Sequence, residues 1–254
     1  MRVLLTNDDG IFADGIQELS KAMQKIAAVY IVAPDRERSA VGHAITMHNP
    51  LRADKVKLYH NPNLSAWAVN GTPSDCVKLA VEAILPERPD IVISGVNRGA
   101  NLGTDVLYSG TVSAAVEGVI SGLPSIAVSL TAVENPDYTL AAEFAAQLSK
   151  IVLKKALPKG TLLNVNVPGI PREEIAGVVV TRLGVTRYHN EFEERVDPRG
   201  RSYYWMAGEV IEETECNDTD LSAIRCNNIS VSPIHFDFTN YEVMGALKDW
   251  DFKL

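Results

Sequence analysis

RVLLTNDDG, residues 2–10, joins a short apolar run to two adjacent acids and a glycine, and this stretch decides the fold. The run from Arg2 to Thr6 is short and rich in branched aliphatic residues, which predicts a buried strand. Asp8 and Asp9 follow this strand directly. Asp-Gly pairs commonly form turns, because Asp hydrogen-bonds its own backbone and Gly accepts a positive φ. A simple turn is therefore one interpretation of the two acids, and a shared functional site is the other.

Similar apolar runs recur from the N-terminus to about residue 168, and helical patterns lie between them. Strands are predicted over residues 2–6, 29–34, 91–96, 125–130 and 162–168, and helices over 13–28, 73–85, 111–121 and 138–157. Thr72-Pro73-Ser74-Asp75 combines a helix cap, a proline at the first helical position and a capping-box acid. Alternating strands and helices are typical of βαβ units, so the sequence predicts an α/β fold with a mainly parallel sheet.

From Gly184 onward the residue pattern of the sequence changes. Two polar-aromatic runs flank Asp197-Pro198-Arg199-Gly200, a turn sequence suited to a β-hairpin. A strand over residues 229–234 and an amphipathic tail from Asn240 follow. Because no repeat, low-complexity tract or linker marks a boundary, we predict a single domain over residues 1–254, with a core over 1–183 and an arm and tail over 184–254.

The overall charge limits the kinds of partner that the protein can bind. The 254 residues carry a formal net charge of -8, with a pI near 5.2. Such a chain has no general basic field for a nucleic-acid backbone or an anionic membrane, so neither is expected as a partner. Arg36, Arg38 and Arg98, together with a cation, could still reverse the potential within one cleft and admit a small anionic substrate.

Cysteine usage and the N-terminal residues bear on the cellular compartment. Cys76, Cys216 and Cys226 form no Cys-x-x-Cys pair and leave an odd count, which argues against a disulfide framework and a thiolate zinc site. Near the N-terminus only Val3-Leu4-Leu5 is continuously apolar, which is too short for a signal peptide or a membrane span. We therefore expect a cytoplasmic protein.

Polar residues follow three of the predicted strands, at the edge where an open parallel sheet binds its ligands. Asp8 and Asp9 follow the first strand, Ser39 lies in the loop after the second, and Asn97 follows the third. Adjacent carboxylates raise each other's pKa unless a cation lies between them. These oxygen ligands, without a histidine pair at ligand spacing, predict Mg²⁺, Mn²⁺ or Ca²⁺ rather than Zn²⁺.

The same edge offers an anion site. Ser109-Gly110-Thr111 directly precedes an apolar helical run, and the N–H groups of a helix N-terminus, with two hydroxyls, can hold a phosphate. An ordinary serine cap is the alternative interpretation. His43, which follows Ser39, is a candidate proton donor, although a lone histidine is more often structural.

Common nucleotide and phosphate motifs are missing from the sequence. Gly95, Gly99 and Gly103 do not match the dinucleotide fingerprint G-x-G-x-x-G, and no GxxxxGK[ST] loop occurs. Asp8 and Asp9 are adjacent, so they do not form the D-x-D pair in which the first Asp attacks phosphorus. NAD enzymes, P-loop NTPases and that covalent phosphatase route are therefore disfavoured.

Several long blocks of sequence occur in a characteristic order: LLTNDDG (4–10), VAPDRERSAVGH (32–43), NGTPSDCVKLA (70–80), ISGVNRGANLGTDVLYSGTVSAAVEG (93–118) and EERVDPRGRSYYWMAGE (193–209). Together they resemble the SurE (survival protein E) family of metal-dependent nucleotidases. The resemblance is loosest over residues 213–240.

The resemblance implies a Rossmann-like three-layer α/β sandwich and hydrolysis of nucleoside monophosphates. It implies one divalent cation per subunit, Mg²⁺ or Mn²⁺, at the positions of Asp8, Asp9, Ser39 and Asn97, the same residues that the strand-end argument selects. It also implies a homodimer or tetramer whose subunits exchange the arm and the C-terminal tail.

These observations lead to one functional hypothesis and two alternatives. The hypothesis is a phosphomonoesterase for nucleoside 5′-monophosphates, with 3′-monophosphates left open, in which the cation activates water and Asp8 or Asp9 orients it as a base. The phosphate would be held by Asn101, Ser109, Gly110 and Thr111. One alternative is a broader phosphatase that also trims short polyphosphate, and the other is a metal-dependent nucleotide sensor without turnover.

Overall fold

The computed structural model describes residues 1–58, 61–132, 134–186, 188–189, 192–210 and 218–252. Its strands are β1 (Arg2–Thr6), β2 (Ala28–Pro34), β3 (Ala53–Lys55), β4 (Ser65–Val69), β5 (Ile91–Arg98), β6 (Ser125–Leu130), β7 (Thr161–Val167), β8 (Gly177–Val180), β9 (Tyr188–His189), β10 (Phe192–Val196), β11 (Ser202–Met206), β12 (Glu209–Val210) and β13 (Asn228–His235). Its α-helices are α1 (Asp14–Gln24), α2 (Pro73–Leu79), α3 (Gly110–Ile120), α4 (Thr139–Lys155), α5 (Asp220–Arg225) and α6 (Tyr241–Leu247).

The central sheet has nine strands in the order β3-β4-β2-β1-β5-β6-β7-β13-β8. The strands from β4 to β7 in this order run parallel to one another. β3 and β13 run antiparallel to their neighbours β4 and β7. The chain leaves β1 for β2 on one side and later returns to β5 on the other side, so the strand order reverses at β1. In open α/β sheets such a switch point is where ligands bind, beyond the carboxyl ends of the strands.

Helices cover both faces of this sheet. Leu5 of β1 packs with Ile16 of α1 and with residues of α4 in one core cluster. Leu4 packs instead with Val77 of α2 and Ala114 of α3 in a second cluster. Successive residues of a strand point to opposite faces, so neighbouring leucines serve two cores. This three-layer α/β arrangement around a mainly parallel sheet confirms the predicted fold class.

Two predicted helices end earlier than their periodicity indicates. α1 ends at Gln24 rather than at residue 28, because Ala28 already pairs with Arg2 in the sheet. The next helix is α-helical only over Pro73–Leu79 and continues as the π-helical turn Ala80–Ile84. Its predicted capping box is present, since Thr72 and Asp75 each accept a hydrogen bond from the other's backbone N–H.

Residues beyond 183 divide between the arm and the core sheet. β10 and β11 form the predicted antiparallel hairpin, with Phe192 opposite Met206. β13 lies instead in the nine-stranded sheet, where it pairs with β7. Its residues Ile229 and Val231 are buried with the rest of the core. The core therefore extends past residue 183 and includes part of the segment that the sequence assigned to the arm and tail.

The cysteines and the helix lengths bear on two further expectations. Cys76 is a buried free thiol, and Cys226 is exposed. Cys216 lies outside the described residues, as do residues 211–217 as a whole. Among the helices that the structure describes, none is long and apolar enough to cross a membrane.

Candidate active site

Three loops meet at the carboxyl edge of the sheet beside β1. The backbone N–H of Arg38, next to Ser39, donates a hydrogen bond to the backbone carbonyl of Asp8 over 2.7 Å. The backbone N–H of Arg98, next to Asn97, donates to Oδ2 of Asp9 over 3.2 Å. The loop after β2 and the last residue of β5 thus both contact the acid pair that follows β1, and the three strand ends meet as predicted.

Asp8 is packed against the N-terminus of α3. Asp8 is only 5% exposed. Its carboxylate accepts a hydrogen bond from the Thr111 hydroxyl. A Cβ atom on Gly110 would lie 2.8 Å from Cβ and 2.9 Å from Oδ2 of Asp8. Only glycine therefore lets the first residue of α3 approach the acid this closely.

The carboxyl groups of Asp8 and Asp9 both have raised pKa values. Burial raises the pKa of Asp8 above its ordinary value, and the hydrogen bonds from Thr111 offset only part of this effect. Burial, followed by the negative charge of Asp8, raises the pKa of Asp9 to about 6. Glu37, which the sequence argument did not select, adds to both shifts. Within the described residues neither Asp8 nor Asp9 forms an ion pair with a basic side chain, so a cation would relieve the repulsion.

Of the other two predicted ligands, Ser39 lies in the loop after β2, and Asn97 is the next-to-last residue of β5. The Ser39 hydroxyl donates to Oε1 of Glu37 over 2.7 Å. The Asn97 amide nitrogen donates to the Gly99 carbonyl over 2.9 Å, so the amide oxygen can bind a different partner. No cluster of three or more His, Cys, Asp or Glu side chains suited to a metal occurs among the described residues. The four proposed ligands Asp8, Asp9, Ser39 and Asn97 all offer oxygen atoms, which fit a hard cation better than zinc.

Ser109 and Asn101 are placed differently from each other. Ser109 is the N-cap of α3, and its hydroxyl oxygen accepts from the N–H of Val112 over 3.1 Å. Ser109 is therefore a serine cap, as the alternative interpretation states, and it also lies at the carboxyl edge of the sheet. Asn101 is buried, and its amide nitrogen donates to Oγ of Ser129 over 2.8 Å.

A buried polar network holds the Asn101 loop, and the sequence argument missed it. The backbone carbonyl of Asn101 accepts from the amide nitrogens of both Asn164 and Asn166, each over 2.9 Å. Oδ1 of Asn166 accepts from the Asn101 N–H over 2.9 Å. The signal was present as two asparagines in the buried strand LLNVNVP, because buried amides need hydrogen-bond partners.

His43 is an anchor for the loop that carries Ser39. Its Nε2 lies 2.9 Å from Oε2 of Glu117, a residue of α3 that is 3% exposed. Nζ of Lys78 donates to the other oxygen of Glu117 over 3.2 Å. Burial alone would raise the pKa of Glu117, but these two hydrogen bonds outweigh it and hold the pKa below its ordinary value. The contacts favour the structural interpretation of His43 over the proton donor.

Replacing Gly110 with Ala is expected to lower kcat by about tenfold or more, because the new methyl group would displace Asp8 and small misplacements at a reacting centre are costly. Steady-state kinetics with a nucleoside monophosphate measures the effect. Gly245→Ala is the control, since a Cβ there meets nothing within 4 Å. Equal kcat values for both variants and the parent would contradict the close approach of α3 to Asp8.

The fold and the site together define a doubly wound α/β protein with a paired-carboxylate site at its switch point. The chain belongs to the SurE family, since the family model described as Survival protein SurE matches residues 3–190. It is 58% identical over 250 residues to a protein named 5′-nucleotidase SurE from Heliobacterium modesticaldum, covering 98% of this chain and 92% of that one. A protein of the same name from Carboxydothermus hydrogenoformans is 53% identical over 254 residues, covering 98% and 96%.

A solved structure is similar in fold over almost the whole chain. The crystal structure of the SurE protein from Aquifex aeolicus is similar with a TM-score of 0.86 and 42% sequence identity, and the match covers 98% of both chains.

Proposed function

We propose that this protein is a metal-dependent phosphomonoesterase that hydrolyses nucleoside 5′-monophosphates. The observation that carries the proposal is the buried carboxylate of Asp8 against Gly110 at the start of α3, with Asp9 beside it and no ion-pair partner for either acid in the part of the chain that the structure describes. The relatives named 5′-nucleotidase support the choice of substrate. One divalent cation per subunit, Mg²⁺ or Mn²⁺, would be held by Asp8, Asp9, Ser39 and Asn97.

Each part of the site has a separate task in this proposal. When bound, the cation supplies Lewis-acid polarisation of the phosphoryl group and acidification of water. The N-terminus of α3, which begins at Gly110, would direct its positive dipole end towards the phosphate oxygens, where negative charge develops during transfer. Asp8 is fixed by Thr111 and so serves as a rigid ligand. Asp9 is less buried than Asp8 and is the better placed of the two to orient water and accept its proton.

A panel of phosphate esters tests the substrate class. We expect purified protein with Mn²⁺ to release phosphate from AMP and other nucleoside 5′-monophosphates. Comparable rates with 3′-AMP would extend the activity to 3′-monophosphates, and comparable rates with tripolyphosphate would favour the broader phosphatase. Binding of AMP without any release of phosphate would contradict the enzyme and favour a nucleotide sensor.

The aromatic residues of the hairpin and the tail suggest an assembly of identical subunits. Tyr204 and Trp205 of β11 are 61% and 58% exposed in the single chain, and Trp250 and Phe252 of the tail are 63% and 73% exposed. Exposed aromatic patches on proteins usually mark interfaces, and most homo-oligomers are symmetric. We propose a homodimer or tetramer in which the arm and tail cover a second copy.

Light scattering coupled to size exclusion is expected to give a dimer or tetramer at micromolar protein, and Trp205→Glu to shift it towards monomer because the charge enters an apolar contact. Ile151→Glu, at an exposed apolar residue of α4 outside the arm and tail, is the matched control and should leave the mass unchanged. A monodisperse monomer with full activity would show that the arm makes no such contact.

A further inference from the structure

A cavity of about 440 Å³ lies beside the proposed catalytic edge, under the loop that joins β2 to β3. Its lining includes three arginines and three uncharged polar residues: Arg36, Arg38, Arg52, Thr46, Asn49 and Asn70. We call the part formed by Arg36, Arg38 and Arg52 the arginine pocket. Its volume is in the range of small-molecule sites, and the proposed function uses none of these arginine side chains.

The arginine pocket is positive in a protein that is negative overall. Asp35 is the acid paired with these arginines, with oxygen–nitrogen distances of 3.9 Å to Arg36 and 3.5 Å to Arg38. Arg52 forms no ion pair within the described residues. Three guanidinium groups together with the carboxylates of Asp35 and Glu37 leave a formal charge of +1 on these five residues, whereas the whole chain carries -8. Glu37 is also hydrogen-bonded to Ser39.

Arg38 has a hydrogen-bond donor that the protein itself does not use. One terminal nitrogen of its guanidinium donates to the carbonyl of Asn70 over 2.9 Å. Its Nε is buried and has no hydrogen-bond partner among the described residues. A buried donor without a partner is unfavourable, and guanidinium groups bind phosphate with paired, charge-assisted hydrogen bonds. The solvent-exposed guanidinium groups of Arg36 and Arg52 are the donors open to a phosphate group in the pocket.

The pocket is connected to the proposed catalytic edge through the backbone of its own wall. The N–H of Arg38 donates to the carbonyl of Asp8, and the next residue is Ser39. The backbone of Arg36 lies beside Gly10, where a Cβ would be 3.2 Å from the Arg36 carbonyl carbon. The wall of the arginine pocket is therefore in direct backbone contact with the loop that carries Asp8 and Asp9.

We propose that the arginine pocket binds a phosphate group other than the one that is hydrolysed. That group comes either from a substrate with two phosphates, such as a nucleoside 3′,5′-bisphosphate, or from free inorganic phosphate. The first source rests on the proposed nucleotidase function, whereas the second does not.

Two measurements on the full chain test the proposal and distinguish the two sources. Calorimetric titration of EDTA-treated protein with inorganic phosphate is expected to show that Arg36→Gln and Arg52→Gln each weaken a binding event by roughly tenfold, because each removes one charge-assisted contact. Steady-state KM values for adenosine 3′,5′-bisphosphate and AMP are then compared. A lower KM for the bisphosphate that disappears in Arg52→Gln identifies the substrate as the source. Equal KM values with weakened phosphate binding identify the free anion.

Lys154→Gln is the charge-matched control, since Lys154 is an exposed residue in the last turn of α4. The proposal is overturned if Arg36→Gln and Arg52→Gln match the parent in both phosphate affinity and bisphosphate KM. Failure of the nucleotidase function would appear differently, as an absence of phosphate release from AMP by the parent, and the calorimetric result would still decide the pocket.

Discussion

Asp9→Asn is expected to lower kcat for AMP by about 100-fold or more, the size of effect seen when one pre-organised electrostatic group is removed from an active site. The substitution removes a charge and nearly preserves the shape of the side chain. It takes away one of the two carboxylates proposed to bind the cation and the group best placed to orient water. Affinity for Mn²⁺, measured by calorimetry, should fall together with kcat.

Asp9→Asn should not lower the stability of the fold. The pKa of Asp9 is raised from 3.8 to about 6 by burial and by Asp8, so its ionisation costs stability as the pH rises through that interval. Without metal at pH 8, Asp9→Asn should therefore melt at the same temperature as the parent or higher. Asp54→Asn, on the exposed edge strand β3, is the control. A kcat within a few-fold of the parent would mean that Asp8 and Asp9 are only turn residues.

Removing divalent cations is expected to abolish activity almost completely, with a loss of about 100-fold or more, because the paired carboxylates and the phosphate would then repel one another. Mg²⁺ or Mn²⁺ should restore the activity after EDTA treatment, since all the proposed ligands are oxygens. Full activity after exhaustive chelation, or restoration by Zn²⁺ alone, would contradict the assignment.

Thermal melting tests the same cation binding without depending on catalytic turnover. A ligand that binds only the folded state raises Tm with its concentration. Mn²⁺ should therefore raise the Tm of the EDTA-treated parent and have little effect on Asp9→Asn. An equal rise in both proteins would place the cation elsewhere.

The sequence predicted the central strands well because their residues are apolar and β-branched over short runs. β1 and β6 have the predicted bounds, and β2, β5 and β7 differ by only one or two residues. The edge strands β3 and β8 and the strand β4 beside β3 were not predicted. β3 is the three-residue segment Ala53–Lys55 with two charged residues, so it does not carry the pattern of a buried strand. β8 is the β-branched run Gly177–Val180, which does carry a strand pattern, although the structure exposes its three valines.

Some residues of the candidate site could be selected from local sequence patterns, whereas others are recognised only by contacts between distant parts of the chain. Asp8, Asp9 and Asn97 could be selected from strand ends alone, since parallel topology brings those ends together. The contact of Gly110 with Asp8 joins residues about 100 positions apart, and no local pattern encodes that distance. The Glu117–His43 contact likewise spans 74 positions, so only the folded chain reveals the histidine as an anchor.

Anomalous diffraction from crystals grown with Mn²⁺ and AMP tests the central claim most directly, because it locates the cation and the phosphate independently of any rate. We expect one anomalous peak per subunit, about 2 Å from oxygens of Asp8 and Asp9, with Ser39 and Asn97 completing the protein ligands. The AMP phosphate should lie between this peak and the N-terminal N–H groups of α3. A Mn²⁺ peak away from Asp8 and Asp9, or a phosphate bound at another edge of the sheet, would contradict the account.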